Sequence, residues 1–206
     1  MEFKATELDE YQEDNILDLV ASMKNNNQIA FEGHSTDFQT KDNLYKMVEN
    51  NTAILKVGPA LTFALREAFF SLENIEKELV TPEKRSNLRV VIENVMKNHP
   101  ESWEKYYHET DEENKLLRSF SYLDRVRYYL PTAEVQDALK VLLTNLEGKI
   151  PLYVLSQYFS NQYKKIRMGK LNNSCEDLIL DKIGETIDDY LYAIGISPVT
   201  KVEKCF

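Results

Sequence analysis

Apolar residues follow two rhythms along this chain. Two short runs near the start, Ile29 to Phe31 and Ala53 to Val57, are rich in β-branched or aromatic residues and too short for helices, so each predicts a buried strand. Between them, Lys41 to Asn50 puts Leu44, Met47 and Val48 on one face behind Thr40, a suitable N-cap, and predicts an amphipathic helix. Strand, helix and strand form a βαβ unit, whose strands are parallel and whose chemistry gathers at their carboxyl ends. Past the first run stand Gly33, His34, Ser35, Thr36 and Asp37; Lys56 and the Gly58-Pro59 turn close the second.

From Pro59 onward the rhythm is helical. Leu61, Leu65, Phe69, Leu72, Ile75 and Leu79 descend one side of Pro59 to Val80, with Pro59 as the first helical residue, and Phe63 and Phe70 widen the stripe toward a second apolar neighbour. Asn15 to Asn26, carrying Ile16, Leu17, Leu19, Val20 and Met23, predicts a helix outside the strands. Further helices are expected at Asn87 to Lys97, Ala133 to Leu146 and Cys175 to Ala193. Ser121 and Asp124 have the spacing of a capping box with Asp in place of Glu. Trp103, Tyr106 and Tyr107 read as a packing face, periodicity leaves Ile150 to Tyr163 unresolved, and the tail VTKVEKCF reads as loose. No strand pattern reappears after residue 82, so the expected class is α/β: βα units over residues 1–80 and a mostly helical extension over 81–206.

Composition narrows the function. A net charge of -9 excludes a nucleic-acid partner, since no basic stripe exists to displace counterions. No apolar run reaches membrane-span length and the N-terminus lacks a signal-peptide pattern, which with two unpatterned cysteines, Cys175 and Cys205, predicts a cytoplasmic protein with free thiols and no membrane.

The rim residues suggest phosphate chemistry. The first free N–H groups of the helix after Pro59, with the Thr62 hydroxyl and Arg66 one turn on, can receive a phosphate, and Lys56 stands beside them. The alternative is a plain strand-to-helix turn with a surface Arg66. Arg125 and Arg127, beside tyrosines in SYLDRVRYYLP, suit a bidentate clamp on a sugar phosphate. They equally suit ties to surface carboxylates.

The segments GHSTDFQT, NTAILKVGPALTFALREAFFSLENIEKEL, SYLDRVRYYLP and PLYVLSQYFSNQY resemble the non-catalytic subunit family of class II D-tagatose-1,6-bisphosphate aldolases, formerly described as tagatose 6-phosphate kinases. The resemblance runs over nearly the whole chain and implies the C-terminal part of a TIM (β/α)8-type barrel, two to three strands, followed by the helical extension. Family members are about twice this length, so the Met1 start implies a truncated gene, a split reading frame or an engineered fragment. A complete barrel needs roughly 250 residues. By the same resemblance His34 falls where the related catalytic aldolases hold a metal, usually zinc, in an HGG-type loop; here Ser35, Thr36 and Asp37 replace the glycines. In PLYVLSQYFSNQY, Ser156 and Gln157 point toward the barrel mouth or satisfy buried backbone groups.

Two functions follow. One is a supporting subunit that stabilises the catalytic aldolase chain in galactitol or N-acetylgalactosamine breakdown. The other is a metal-dependent tagatose 6-phosphate 4-epimerase, in which His34 binds a divalent metal, Asp37 transfers a proton, and Lys56, Thr62, Arg66, Arg125 and Arg127 hold the sugar phosphate. No nucleotide-binding motif supports kinase activity.

Overall fold

The computed structural model describes residues 3–23 and 29–196. The expected helix residues 24–26, the Met23 side chain, Cys205 and the tail 199–206 lie outside the described residues. A 3₁₀ turn at Glu13–Ile16 leads into α1 (Leu17–Met23), followed by β1 (Phe31–Gly33), α2 (Lys41–Glu49), β2 (Thr52–Leu55) and α3 (Ala60–Leu79). Six more helices follow: α4 (Leu88–Asn98), α5 (Asp111–Phe120), α6 (Ala133–Leu146), α7 (Leu152–Tyr158), α8 (Ser160–Arg167) and α9 (Cys175–Ala193). Over the described residues the protein is a mostly helical α/β chain with two parallel strands.

The βαβ unit forms as its sequence predicts. Thr40 caps α2 by accepting the Asn43 N–H at 3.2 Å, and Leu44 and Met47 are buried beneath the sheet. Phe31 pairs with Thr52 but Glu32 with Ile54, so Ala53 is an inserted bulge residue. The bulge turns Leu55 and Gly33 toward α2 and leaves Glu32 and Ile54 on the other face. The chain is close-packed there: a Cβ added at Gly33 would lie 2.8 Å from the Met47 methyl and 3.2 Å from the Thr36 and Thr52 methyls, so these side chains would have to give way.

The strands are not buried on both faces as expected. Ile54 of β2 is 53% exposed, and Ile29, expected in the first strand, falls two residues before β1 and is 59% exposed. Similarly, Leu17 and Leu19 of α1 face outward, whereas Val20 of α1 and Ile16 of the preceding turn face inward.

Two apolar clusters hold the chain. A small one, Tyr11, Leu44, Met47 and Ala193, ties α2 to α9 beneath the sheet. The large one gathers Phe69, Leu72, Ile75, Leu88, Ile92, Val126, Val135, Leu142, Leu155 and Leu178 around α3. Burial of each such side chain stabilises the fold by about 1.5–3 kcal/mol. α3 touches α4, α6, α7 and α9, which accounts for its wide stripe; its ends, Leu61 and Leu79, reach solvent. Pro59 sits one position before α3, as its N-cap, rather than as its first residue.

The extension departs from its sequence reading at three places. Ser121 and Asp124 form no capping box: Asp124 takes a left-handed φ of 45° and turns its carboxylate to α3. The capping box forms earlier, at Thr110 and Glu113, and opens α5, a strongly polar helix whose only large apolar residues are Leu116, Leu117 and Phe120. Residues 150–163 fold as two helices broken at buried Phe159, with Ser156 bonded to the Tyr153 carbonyl at 2.8 Å and Gln157 exposed. Trp103 and buried Tyr107 stack at 6.2 Å, a packing pair as expected, while Tyr106 reaches the surface.

Candidate functional site

The carboxyl ends of β1 and β2 bring His34 and Lys56 to one rim. Both side chains bond the same carboxylate oxygen, Glu32 Oε1: His34 Nε2 at 2.9 Å, and Lys56 Nζ as an ion pair. Alternation in an extended chain puts Glu32 and His34 on one face and Ile54 and Lys56 beside them. The Lys56 ammonium holds the Glu32 carboxyl below its ordinary value, with His34 adding to the effect. The group is solvent-facing, His34 being 69% exposed at its side chain.

Behind this rim, the loop from Ser35 to Gln39 is tightly tied. Ser35 and Phe38 hold left-handed φ angles of 55° and 62°, each costing roughly 1 kcal/mol or more without glycine. Buried Thr36 secures the loop: its N–H and hydroxyl both donate to the Lys56 carbonyl, at 3.2 and 2.9 Å. Tyr190 of α9 donates to the Thr36 carbonyl at 3.1 Å, and its oxygen lies 3.0 Å from the Thr36 hydroxyl. Burial pushes the Tyr190 phenol above its ordinary range, with the Thr36 hydrogen bond opposing.

Asp37 is buried, and its carboxylate closes the amino end of α3. It accepts from Gly58 N–H at 2.8 and 2.9 Å and from Ala60 N–H at 2.9 Å. The helix terminus attracts this negative charge, and the chain's own carboxylate fills the place where the sequence suggested a phosphate. A Cβ on Gly58 would come within 3.1 Å of the same carboxylate.

Thr62 and Arg66 turn away from that terminus toward the extension. Thr62 donates to Asp124 Oδ2 at 2.6 Å, and Arg66 Nη1 lies 3.0 Å from Asp124 Oδ1. The Arg66 contact is one of charge: its N–H aims at the Ser121 carbonyl at 3.4 Å, and Asp124 Oδ1 has no hydrogen-bond donor. Arg66 is 2% exposed and Asp124 0%, so Arg66 is no surface residue. Burial lowers the Arg66 pKa and raises that of Asp124, each against the pull of the other.

Among the described residues, neither Arg125 nor Arg127 pairs with a surface carboxylate. Arg127 Nη1 donates to the carbonyls of Leu123 and Asp124, the latter at 3.0 Å, and Nη2 to the Tyr128 hydroxyl at 3.0 Å. The Arg125 guanidinium lies over the Tyr106 ring, its central carbon 3.4 Å from the ring centre. Of the predicted residues, then, His34 and Lys56 meet at Glu32, Thr62 and Arg66 meet at Asp124, and Asp37 serves the turn between them. Glu32 and Tyr190 carry geometry that sequence reasoning missed. Glu32 was detectable two residues before His34 on the same strand face; Tyr190 lies 154 residues from Thr36, and no local pattern joins them.

The donor set does not fit zinc. His34 and Glu32 offer two donors already bonded to each other, and the Lys56 ammonium sits on the oxygen a metal would use. No group of three His, Cys, Asp or Glu side chains able to hold an ion occurs among the described residues, whereas zinc takes three or four protein ligands. His99 and His108 belong to the extension. No helix among the described residues is long and apolar enough to cross a membrane.

Parallel βα units carrying charged side chains at their carboxyl rim, tied to a helical extension, define a mostly helical α/β protein. The chain belongs to the D-tagatose-1,6-bisphosphate aldolase subunit GatZ/KbaZ-like family, whose model matches residues 1–195. It is also similar to a solved structure described as a probable tagatose 6 phosphate kinase from Sinorhizobium meliloti 1021, with 39% identity and a TM-score of 0.87 over 93% of this chain. The chain spans 50% of that protein's length.

Proposed function

We propose that this chain provides the last βα units of a TIM-type barrel and its helical extension, in a subunit that supports a catalytic tagatose-bisphosphate aldolase chain in carbohydrate breakdown. The division is at residue 80, after α3. The observation that carries the supporting role is how the candidate catalytic groups are engaged. Asp37 accepts three N–H bonds from the turn, and Arg66 and Thr62 serve Asp124 inside the fold. Groups committed to holding loops and helices suit a protein that binds and stabilises more than one that turns over substrate. The exposed apolar Ile29 and Ile54 suit contact with further chain.

Co-expression with a class II tagatose-bisphosphate aldolase chain tests this reading. The two chains are expected to co-purify, and the aldolase to keep its activity longer on warming. An aldolase that survives equally well alone, and elutes alone, would overturn it.

Epimerisation of tagatose 6-phosphate is the second reading, and one observation favours it: His34, Glu32 and Lys56 share one rim. Incubation of a full-length form carrying this chain with tagatose 6-phosphate and a divalent metal would yield fructose 6-phosphate, and His34→Ala would abolish it. Residues outside this chain would have to supply the remaining metal ligands.

A further inference from the structure

We propose that the outer face of α9 is a docking stripe for a basic amphipathic helix of another polypeptide. Three sides of α9 are already engaged. Leu178 and Ala193 are buried beneath it, Lys182 pairs with Glu67 of α3 at 3.6 Å, Lys41 of α2 lies 5.0 Å from the Tyr192 ring centre, and Lys165 of α8 bonds Asp181 at 2.8 Å. At 3.6 residues per turn, Leu180, Gly184, Ile187 and Leu191 fall on the remaining side, and Ile194 continues the line past the helix end. Leu180, Ile187 and Ile194 are 59%, 44% and 51% exposed, and no described residue covers them. A free helix face is normally polar, so an apolar stripe about 21 Å long marks a place for a partner.

Gly184 is an independent sign of the same contact. Glycine weakens the middle of a helix, yet α9 keeps one where an added Cβ would have open space around it. The helix runs unbroken through this position, so the glycine serves no turn. A second helix crossing here can bring its axis closer than a larger side chain would allow, with Leu180 and Ile187 about one turn to either side as anchors.

Charge selects the partner. α9 carries Glu176, Asp177, Asp181, Glu185, Asp188 and Asp189, and Glu67 stands beside them on α3. Lys182, Lys165 and Lys41 are the cations that reach this helix, so 7 - 3 = 4 negative charges remain around the stripe. A second copy of the chain would bring the same excess against itself, and an anionic lipid surface would be repelled likewise. A helix whose own apolar stripe is flanked by Lys or Arg satisfies both the apolar and the negative parts of this face, in the helix-to-helix mode of peptide recognition.

The test titrates the purified chain with a helical peptide of Leu and Lys, roughly 18 residues long, whose leucines occupy heptad positions a and d. Methyl NMR signals of Leu180, Ile187 and Leu191 read where it binds, and calorimetry reads how tightly. The peptide is expected to move these methyls. A version with Glu in place of every Lys, and a scramble of the Leu and Lys peptide that lacks the stripe, are expected to bind at least about tenfold more weakly. Gly184→Gln fills the crossing point and Ile187→Gln removes an anchor; each is expected to weaken binding at least about tenfold in a protein that melts near the parent. Asp188→Asn is expected to weaken it less, as is added salt, and serves alone if a Gln variant does not fold. Equal binding of the acidic or scrambled peptide, unchanged affinity in the variants, or shifts confined to other surfaces would overturn the proposal. So would another occupant of the stripe: a dimer abolished by Ile187→Gln, binding to phosphatidylcholine and phosphatidylglycerol vesicles, or contact of residues 197–206 with the Ile187 methyls in the free chain. No aldolase chain enters the titration, so its failure leaves the supporting role standing, and failure of the co-expression assay leaves the stripe standing.

Discussion

Arg66 and Asp124 face each other 3.0 Å apart with neither side chain in contact with bulk water, and the pair fixes the start of α3 to the arginine-bearing segment of the extension. Removing one partner of such a pair strands a charge in a poorly solvated place. Arg66→Met is therefore expected to destabilise the protein by about 3–5 kcal/mol, read as a shift of the urea midpoint. Arg66→Met with Asp124→Asn should recover part of the loss, because Asn is neutral and tolerates the left-handed backbone at 124. A double variant no more stable than Arg66→Met would refute the pairing.

Asp37 separates structural from chemical work. Asp37→Ala leaves the Gly58 and Ala60 N–H groups without their acceptor and should cost roughly 1–3 kcal/mol. Asp37→Asn keeps one acceptor oxygen and should cost less. If Asp37 also transfers protons, Asp37→Asn would abolish tagatose 6-phosphate turnover in a protein that still melts near the parent. Equal loss of stability in both variants would contradict the capping role.

Glu32 gives a pH dependence with a defined sign. Its folded pKa is depressed by Lys56, so its ion pair contributes above the unfolded carboxylate value of 4.5 and is lost as pH falls through the lower folded value. A ¹³C NMR titration of the Glu32 carboxyl should thus show a midpoint below 4.5, and Lys56→Met should move it upward. A midpoint indifferent to Lys56→Met would mean the two side chains do not meet in solution.

Tyr190→Phe removes the hydroxyl that grips Thr36 and should cost about 1 kcal/mol. Its sharper effect is local. Amide exchange at Thr36, whose N–H is bonded to the Lys56 carbonyl, should accelerate more than exchange within α6. Uniform acceleration at both would show that the latch is not specific to the rim.

Periodic elements were legible where a single repeat decided them. The Ala133–Leu146 and Cys175–Ala193 helices fall on their expected boundaries, and Thr40 caps α2 as its residue type suggests. The common rim of His34 and Lys56 followed from strand polarity alone. What stayed hidden depended on distant partners. Asp124 has the spacing of a cap, but buried Arg66 and Thr62 draw its carboxylate 62 residues away from local use. Arg66 resembles a surface residue until the extension covers it. Asp37 is polar and follows a strand, as a catalytic acid would, yet the same features suit the helix terminus 21 residues later.

α9 crosses back over α2 and α3, and through Tyr190 it holds the loop that follows β1. The two ends of the described chain are thus buckled together, so a protease nick between α8 and α9 would yield two pieces that stay associated. Trimming α9 would, for the same reason, loosen the loop after β1 before it disturbed the large cluster around α3.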